Sequence, residues 1–240
     1  MELVSIITVC YNSEKTIRKT IESVYEQTYQ NIEYIIVDGK STDQTLQIVN
    51  EYKPLFGERL KVISEPDEGI YDAMNKGILL SKGNVIGIIN SDDYYEKNAV
   101  EMVINNMTDK KYQLIYGMLR FLNEGKLDYI SIATPDFIES RPMHHPSCFV
   151  TKAVYNDYGM YDLQYKYVAD YEFCYRLKKR GGVDFIPVLE VLANFSFGGM
   201  SSSYKSDIEA LKFKKRNNII SPFQYLMLCG RRLLGHLFGV

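Results

Sequence analysis

Short apolar runs alternate with helical segments through the first half of the chain. The apolar runs, rich in β-branched residues, lie at residues 3–9, 34–37, 60–63 and 85–89. Between them, apolar residues recur at helical spacing, and Ser13 and Thr42 stand where helices are predicted to begin. Strands separated by helices form parallel pairs, because the chain must cross over before each new strand. The pattern predicts an α/β fold with a mostly parallel, Rossmann-like sheet flanked by helices.

Two adjacent carboxylates, Asp92 and Asp93, come just after the fourth apolar run. In parallel sheets, ligands bind outside the carboxyl ends of the strands, so these acids stand where chemistry is usually done. A carboxylate pair in that position suits a hard divalent cation and its phosphate ligand. The alternative is a solvated acidic turn that caps a helix beginning near Glu96.

Polar residues also end the first two strands, namely Thr8, Tyr11 and Asn12 after the first and Asp38 with Asp43 after the second. The carboxyl ends of parallel strands meet at one edge, so these groups favour a nucleotide with its metal ion. One carboxylate can accept from a base imide or a ribose hydroxyl, while another holds the cation. The sequence has no Gly-x-x-x-x-Gly-Lys-Ser/Thr loop, and no Gly-x-Gly-x-x-Gly turn follows the first strand.

Composition and charge exclude several classes of protein. The 240 residues carry a net charge of −2, which gives no general attraction to nucleic acid. The four cysteines are scattered without a Cys-x-x-Cys spacing, so neither a disulfide framework nor a zinc site is indicated. The first residues lack the basic region of a signal peptide, and no stretch reaches the ~20 apolar residues that span a bilayer. We therefore expect a cytoplasmic protein.

The pattern changes in the second half of the chain. Its predicted elements are a helix after residue 96, a strand at 114–116, a hairpin around 123–125, a helix at 171–179 and a strand at 184–188. No linker or repeat separates the two halves. We therefore interpret residues 1–201 as one domain and residues 202–240 as a helical C-terminal extension.

Four motifs resemble those of the inverting family 2 glycosyltransferases with the A-type fold. They are residues 5–12 (SIITVCYN), 37–43 (VDGKSTD), 64–77 (SEPDEGIYDAMNKG) and 90–93 (NSDD). The resemblance covers residues 3–200, and its third motif is most similar to bacterial enzymes of polysaccharide assembly. It implies metal-dependent transfer of a sugar from a nucleotide-sugar, expected to be a UDP-sugar, to a hydroxyl of a lipid-linked or oligosaccharide acceptor.

The resemblance also assigns roles on the donor side. The nucleotide-binding residues that it implies are Thr8, Tyr11, Asp38, Asp67, Asn75 and Asp92. Within that set, Thr8 and Tyr11 would border the nucleobase, with the Tyr11 ring stacked on it. Asp38 would receive the uracil imide proton, and Asp92 would lie near the ribose.

The metal and the catalytic base are implied in the same way. Asp93 would bind the Mn²⁺ or Mg²⁺ that bridges the diphosphate. Asp170 would take the proton of the acceptor hydroxyl, with Glu172, two positions further on, as the fallback. The alternative is that both acids only complement the dipole at the start of a helix.

Some positions depart from the family pattern. Many relatives have Arg where this chain has Met74, so the role of that Arg on the diphosphate cannot be transferred to this chain, and another residue is needed if the positive charge is to be replaced. Lys76, Arg141 and Lys40 are the candidates, and the sequence does not choose among them. His145 is a further candidate for contact with the donor diphosphate or the acceptor, the alternative being an exposed loop histidine.

Two other functions remain compatible with the sequence. One is a nucleotide-sugar or carbohydrate-binding module without catalysis, against which the intact Asp92, Asp93 and Asp170 argue. The other is a nucleotidyltransferase, which shares the α/β architecture. That class would have a Gly-rich loop with Arg and Lys after the first strand, where this chain has Tyr11 and Asn12.

The C-terminal extension has its own character. Residues 205–232 contain seven basic residues and two acids, mixed with apolar residues such as Leu226. This composition suits a helix in the membrane interface, where each basic residue near anionic lipid contributes ~1 kcal/mol. The alternatives are a helix packed on the domain with its basic face in water, or a dimer contact. Residues 198–201, just before it, resemble a loop that closes over the donor in relatives, the alternative being a plain chain reversal.

Overall fold

The computed structural model describes residues 2–197 and 203–238, so the loop expected at residues 198–201 lies outside the described residues. The strands are β1 (Val4–Cys10), β2 (Ile32–Asp38), β3 (Leu60–Ser64), β4 (Val85–Asn90), β5 (Tyr94–Tyr95), β6 (Gln113–Asn123), β7 (Lys126–Ser131), β8 (Cys148–Thr151) and β9 (Asp184–Ser196). The α-helices are α1 (Ile17–Tyr25), α2 (Thr45–Phe56), α3 (Ile70–Leu80), α4 (Ala99–Asn106), α5 (Lys152–Tyr158), α6 (Ala169–Arg180), α7 (Tyr204–Arg216) and α8 (Pro222–Phe238). The predicted alternation of strands and helices is confirmed.

The strands form one sheet in the order β3-β2-β1-β4-β8-β6-β9-β5, with β7 also paired to β6. The first four strands of that order are mutually parallel, as the sequence predicts. Beyond β4 the sheet is mixed, because β8 runs antiparallel to both β4 and β6, whereas β9 runs parallel to β6. The carboxyl ends of β1, β2 and β4 therefore meet at one edge.

Two apolar cores lie on opposite faces of the sheet. Successive side chains of a strand alternate between faces, and β1 follows this rule. Ile6 packs in the core that contains Ile17 of α1, and Ile7 packs in the core that contains Met74 of α3. A side chain at Gly77 would collide with Ile7, so glycine lets α3 lie close to β1. This packing fixes the loops at the carboxyl edge of the sheet.

The first helices begin later than the sequence indicates. α1 begins at Ile17, and Ser13 is not its cap. The Ser13 backbone N–H donates to the Thr45 hydroxyl (2.7 Å), and its own hydroxyl hydrogen-bonds to the Ser91 hydroxyl (2.8 Å). Ser13 thus joins the loops after β1, β2 and β4, because its side chain has partners across the sheet edge that are better placed than the helix N–H groups.

The C-terminal extension packs on the domain through α7. Phe213 is buried, and its ring lies 4.7 Å from that of Tyr171 in α6 and 5.3 Å from that of Tyr175. This contact makes α7 part of the second core, although the sequence suggested a boundary near residue 201.

α8 packs on α7 and carries an apolar face that no other described element covers. Its exposed apolar residues are Phe223, Leu226, Met227 and Leu233. Within residues 2–197 and 203–238, every helix is too short or too polar to cross a bilayer.

Candidate active site

Asp93 lies in a turn directly after β4. Its residue is 1 % exposed, and its Oδ1 accepts a hydrogen bond from the Ser196 backbone N–H (3.1 Å). Its Oδ2 is buried and has no hydrogen-bond partner among the described residues. Burial and the neighbouring Asp92 carboxylate raise the pKa of Asp93 well above its usual range.

A buried carboxylate oxygen without a donor is a position that a cation can satisfy. Asp93 offers such an oxygen, and the neighbouring Asp92 carboxyl also has its pKa raised by burial. In the described part of the chain, no three His, Cys, Asp or Glu side chains cluster to hold a metal ion by themselves. The residues fit a cation that takes most of its ligands from substrate phosphates and water, as Mg²⁺ commonly does.

Tyr11 and Asp67 converge above the turn after β2. The Tyr11 residue is 63 % exposed at the end of β1. A side chain at Gly39 would contact the Tyr11 ring and collide with the Asp67 carboxylate, so all three lie close together. The Ser41 hydroxyl accepts from the Asn12 backbone N–H (2.8 Å), which ties the loops after β1 and β2 to each other. The result is an aromatic face beside a carboxylate.

Thr8 and Asp38 lie beneath this surface, contrary to the expectation that they contact the nucleotide. Both residues are fully buried. The Thr8 hydroxyl accepts from the Tyr34 hydroxyl (3.0 Å) inside the core. The Asp38 carboxylate accepts from the Ser41 backbone N–H (3.0 Å) and the Ser64 hydroxyl (2.6 Å). Because these groups already have partners within the protein, they hold the turn in place and present no surface to a ligand.

Asn75 and Lys76 of α3 are also engaged within the protein, which differs from their expected place beside the donor. The Asn75 amide donates to the Tyr161 carbonyl oxygen (2.9 Å) and accepts from the Tyr161 backbone N–H (3.0 Å). The Lys76 ammonium pairs with Glu65 and Asp72, each at 3.1 Å. Both residues therefore brace α3 against its neighbours.

The other candidates for the missing positive charge are placed differently from one another. Met74 is buried in the core. Arg141 donates to the Ile132 carbonyl oxygen (3.3 Å) and lies over the Phe137 ring. Lys40 is exposed in the turn after β2 with a φ of 66°, and it borders the surface formed by the first two strand ends.

Asp170 is surrounded by hydrogen-bond donors at the start of α6. Its Oδ1 accepts from the Tyr71 hydroxyl (2.8 Å) and the Tyr171 backbone N–H (2.9 Å), and its Oδ2 lies 3.3 Å from His145 Nδ1. Burial opposes ionisation, but His145 and Tyr71, with the backbone N–H, hold the pKa of Asp170 below its usual range. The carboxylate is ionised at neutral pH and can accept a proton.

Glu172 has a different partner and a different role. Its two oxygens accept from the Arg176 guanidinium, at 2.8 Å from Nε and 3.1 Å from Nη2. Arg176 also donates to the Met160 carbonyl oxygen (2.7 Å). This ion pair occupies both carboxylate oxygens of Glu172, so the residue fixes α6 against the preceding loop.

His145 links the two carboxylate groups of the site. Its Nδ1 lies 3.3 Å from Asp170 Oδ2, and its ring is near enough to Asp92 to oppose the rise that burial causes in the pKa of that carboxyl. Its Nε2 is buried and has no hydrogen-bond partner in the described part of the chain. The imidazole thus keeps one ring nitrogen available beside the catalytic candidates.

The sequence did not single out Tyr71 or Ser196. Tyr71 lies inside the motif at residues 64–77, and its place in that motif was the available signal. Ser196 acts through its backbone N–H, so its side-chain identity carries no signal.

A cavity of about 310 Å³ lies between the start of α3 and the segment before α6, and its walls include Tyr71 and Tyr167. Glu209 of α7 holds that segment. Its carboxylate accepts from the backbone N–H groups of Lys166 (3.0 Å), Tyr167 (2.6 Å) and Val168 (3.1 Å). The extension therefore reaches the residues that lead into Asp170.

Comparison with known proteins identifies the family. Residues 5–175 match the profile described as Glycosyl transferase family 2. A PGL/p-HBAD biosynthesis glycosyltransferase of Mycobacterium bovis is 30% identical over 207 residues, which span 83% of this chain and 79% of the relative. A chondroitin synthase of Pasteurella multocida is 29% identical over 93% of this chain and 23% of the relative. The chain belongs to glycosyl transferase family 2 and is a glycosyltransferase.

Solved structures support the A-type fold. Residues 1–349 of S. aureus TarS in complex with UDP-GlcNAc superpose with a TM-score of 0.73 at 19% identity, covering 96% of this chain and 71% of that chain. The mannosyltransferase PcManGT from Pyrobaculum calidifontis, in complex with GDP-Man and Mn²⁺, gives a TM-score of 0.65 at 17% identity, covering 88% and 61%. The predicted fold class is confirmed.

Proposed function

We propose that this chain transfers a sugar from a UDP-sugar to a hydroxyl of a lipid-linked or oligosaccharide acceptor, with inversion at the anomeric carbon and with Mn²⁺ or Mg²⁺ as cofactor. The observation that carries the proposal is a pair of carboxylates in opposite electrostatic settings. Asp93 keeps a buried oxygen without a donor, whereas Asp170 is surrounded by donors that favour its ionised form. The first suits a cation, and the second suits a general base.

The donor binds along the edge formed by β1, β2 and β4. Tyr11 offers an aromatic face to the nucleobase, and the Asp67 carboxylate beside it accepts from the uracil imide N–H. Asp92 accepts from a ribose hydroxyl, and Asp93 holds the cation at the diphosphate. When bound, the cation offsets the negative charge that develops on the departing diphosphate.

The acceptor side depends on Asp170. Its carboxylate takes the proton of the acceptor hydroxyl while the hydroxyl oxygen attacks the anomeric carbon and the bond to the diphosphate breaks. General-base catalysis of this kind contributes ~10²–10⁴-fold. Tyr71 and His145 keep the carboxylate oriented throughout. A single displacement at one carbon inverts its configuration.

The comparisons support the coarser parts of this proposal. UDP-GlcNAc in the TarS structure and GDP-Man with Mn²⁺ in the PcManGT structure favour a nucleotide-sugar donor and a divalent cation. The choice of uridine follows the resemblance to the family, and Asp67 beside Tyr11 is compatible with it, because a carboxylate accepts from the N–H of the uracil imide. The relative named chondroitin synthase favours a place in polysaccharide synthesis.

We further propose that the protein works in the cytoplasm at the inner face of the membrane and binds that surface through α8. The apolar face of α8, with Phe223, Leu226 and Met227, is exposed, and Arg231 is exposed beside it. An apolar face flanked by positive charge matches the headgroup region of an anionic bilayer.

The test is calorimetric titration with a panel of nucleotide sugars, with and without Mn²⁺, followed by a transfer assay. We expect a UDP-sugar to bind only with the cation, and Asp93→Asn to abolish cation-dependent binding and transfer. Asp109→Asn, which changes an exposed acid outside the site, is the matched control and keeps both. Transfer that persists in excess chelator would contradict the metal role, and failure of every nucleotide sugar to bind would contradict the proposed function.

A further inference from the structure

Four aromatic side chains share one face of the sheet where β7, β6 and β9 lie side by side. Phe121 of β6 is paired in register with Tyr129 of β7 on one side and with Phe195 of β9 on the other. Paired positions in neighbouring strands carry their side chains on the same face, and Phe197, two residues beyond Phe195, follows the same alternation. We call Phe121, Tyr129, Phe195 and Phe197 the aromatic platform.

The rings of the aromatic platform pack against one another, and two of the four are partly exposed to solvent. Phe121 stacks on Tyr129, with ring centroids 4.4 Å apart and an interplanar angle of 15°. Phe197 lies 5.8 Å from Phe121. Phe121 is buried, whereas Tyr129 and Phe197 are 46% and 42% exposed. An exposed cluster of ordered aromatic rings is more than packing requires and indicates a binding surface.

One side of the aromatic platform adjoins the proposed metal carboxylate. Ser196 stands between Phe195 and Phe197 in the chain, and its backbone N–H donates to Asp93 Oδ1 (3.1 Å). Phe195 and Phe197 are therefore the sequence neighbours of Ser196, whose backbone is hydrogen-bonded to the carboxylate that we propose for the cation.

The other side of the aromatic platform adjoins the proposed base. The His144 ring packs edge-on against Phe121, with centroids 5.2 Å apart and an interplanar angle of 77°. The next residue, His145, contacts Asp170. The aromatic platform is thus connected to Asp93 through Ser196 and to Asp170 through His144 and His145, the two carboxylates that we assign to the cation and to the acceptor hydroxyl.

We propose that the aromatic platform is an acceptor subsite that binds a pyranose ring of the acceptor glycan. The proposal rests on the proposed function, because it takes its direction from the positions of Asp93 and Asp170. A pyranose ring has C–H groups on a face and hydroxyl groups around its rim. An aromatic ring in water binds that face by burying apolar surface, and the Tyr129 hydroxyl, which has no partner among the described residues, can bond the rim.

A sugar matches this surface better than a lipid chain does. A hydrocarbon chain requires a continuous apolar groove, whereas the open rings are bordered by the exposed polar residues Lys126 and Asp128 of β7. Polar groups beside an aromatic face suit a ligand that is itself apolar on one side and polar around its edge.

Fluorescence can test the binding step directly, because the chain contains no tryptophan. Tyr129→Trp places one indole on the aromatic platform and keeps an aromatic face there. Ile130→Trp is the matched control, since Ile130 is 45% exposed on the opposite face of the same strand. With UDP and Mn²⁺ present, we expect a panel of methyl pyranosides to give a saturable emission change in the first variant and none in the second. A response only to sugar-free anionic vesicles, or no response to the whole panel, would overturn the proposal.

Kinetics separate this subsite from the donor site. With a methyl pyranoside that serves as acceptor, we expect Tyr129→Ala to raise its KM by about tenfold, the factor that ~1.4 kcal/mol represents. The kcat and the affinity for UDP with Mn²⁺ should stay unchanged, Tyr129→Trp should restore the KM, and Ile130→Ala should behave as the parent protein. If the parent protein does not bind UDP, the proposed function is wrong. If the parent protein binds UDP but Tyr129→Ala leaves the acceptor KM unaltered, only the acceptor subsite is wrong.

Discussion

Asp170 receives one donor from each of three different parts of the chain, namely Tyr71, Tyr171 and His145. These donors favour the charged carboxylate, so the proposed base is ionised at neutral pH. We expect Asp170→Asn to lower kcat by ~10²-fold or more, the scale of lost general-base catalysis, with little change in the affinity for the donor. Steady-state kinetics with calorimetry of UDP binding measure both quantities.

Glu172→Gln is the matched control for this change. It sits in the same first turn of α6, but it pairs with Arg176 and is not in contact with His145. We expect Glu172→Gln to lower the thermal midpoint of unfolding and to leave the kcat nearly unchanged. A loss of turnover in Glu172→Gln that Asp170→Asn does not show would reassign the base.

His144 makes a separate, pH-dependent contribution to stability. Burial, with the nearby positive charges of Arg141 and His145, lowers the pKa of His144 from 6.5 to about 4. Below pH 6.5 the unfolded chain takes up a proton at this residue, and the folded chain does not until about pH 4. The free energy of unfolding therefore falls as the pH falls through that window, by roughly 1–3 kcal/mol from this residue.

We expect His144→Gln to flatten the dependence of the thermal midpoint on pH between 6.5 and 4. Thermal unfolding at several pH values, with both proteins in the same buffers, measures the two slopes. Equal slopes would show that other groups cause the loss of stability in acid.

At the scale of residues, Asp92 and Asp93 could be proposed from their position after a buried strand, whereas Asp170 could be proposed only from the resemblance to the family, because acids at the start of a helix also complement its dipole. The sequence could not tell that Asp38 faces inward, since its Oδ2 accepts from the hydroxyl of Ser64, which lies 26 residues further along the chain and meets Asp38 only after folding. Hydrogen-bond partners distant in sequence decide whether a motif residue meets the ligand or supports the residue that does.

Among the elements, α7 matters because Glu209 holds the three backbone N–H groups that precede α6. Glu209→Ala leaves these donors without their acceptor, so the segment that leads into Asp170 loosens. We expect kcat to fall roughly 10- to 100-fold, because a misplacement of about 1 Å is enough for such a loss. The affinity for UDP with Mn²⁺ should be unchanged in calorimetric titration.

Two variants check that this effect comes from orientation. Glu209→Gln keeps one acceptor oxygen and should recover part of the kcat. Asp207→Asn, in the same helix, affects only an exposed pair with Arg232 (3.4 Å) and should behave as the parent protein. An equal loss of UDP affinity in Glu209→Ala would indicate general unfolding instead.

The elements of the first half were predictable because each run of apolar residues has a single periodicity. The second half was less so: β8 has only four residues, and the parallel pairing of β6 with β9 joins segments about 70 residues apart. Packing of the extension on the domain was one of the alternatives from the sequence, but Phe213 was not identified, since a single aromatic residue among lysines does not stand out as a core position.

At the scale of the whole molecule, the proposed binding of α8 to an anionic bilayer can be tested. We expect the protein to sediment with anionic vesicles and Leu226→Ser to weaken this partitioning roughly tenfold, since the burial of one leucine is worth ~1.5–3 kcal/mol. Arg231→Glu should weaken it chiefly at low salt, because the ~8 Å screening length of physiological salt limits such attraction. The donor site should keep its affinity in both variants.

Leu79→Ser is the matched control for the membrane experiment. Leu79 of α3 is 69% exposed and Leu226 is 68% exposed, so the two changes remove equal apolar surface from different parts of the molecule. If the parent protein and Leu226→Ser sediment equally, α8 does not bind the bilayer through Leu226. Its apolar face would then be assigned to a contact between proteins.

The hairpin of β6 and β7 has a consequence for how such a chain can diversify. β7 pairs with β6 and with no other described strand, and nearly all of its residues are exposed, so changes in it leave both cores intact. The residues that we assign to the nucleotide lie in the turns that follow the parallel strands β1, β3 and β4, outside this hairpin. A lineage of these enzymes could therefore acquire new glycan linkages by exchanging one hairpin, while it inherits its nucleotide chemistry unaltered.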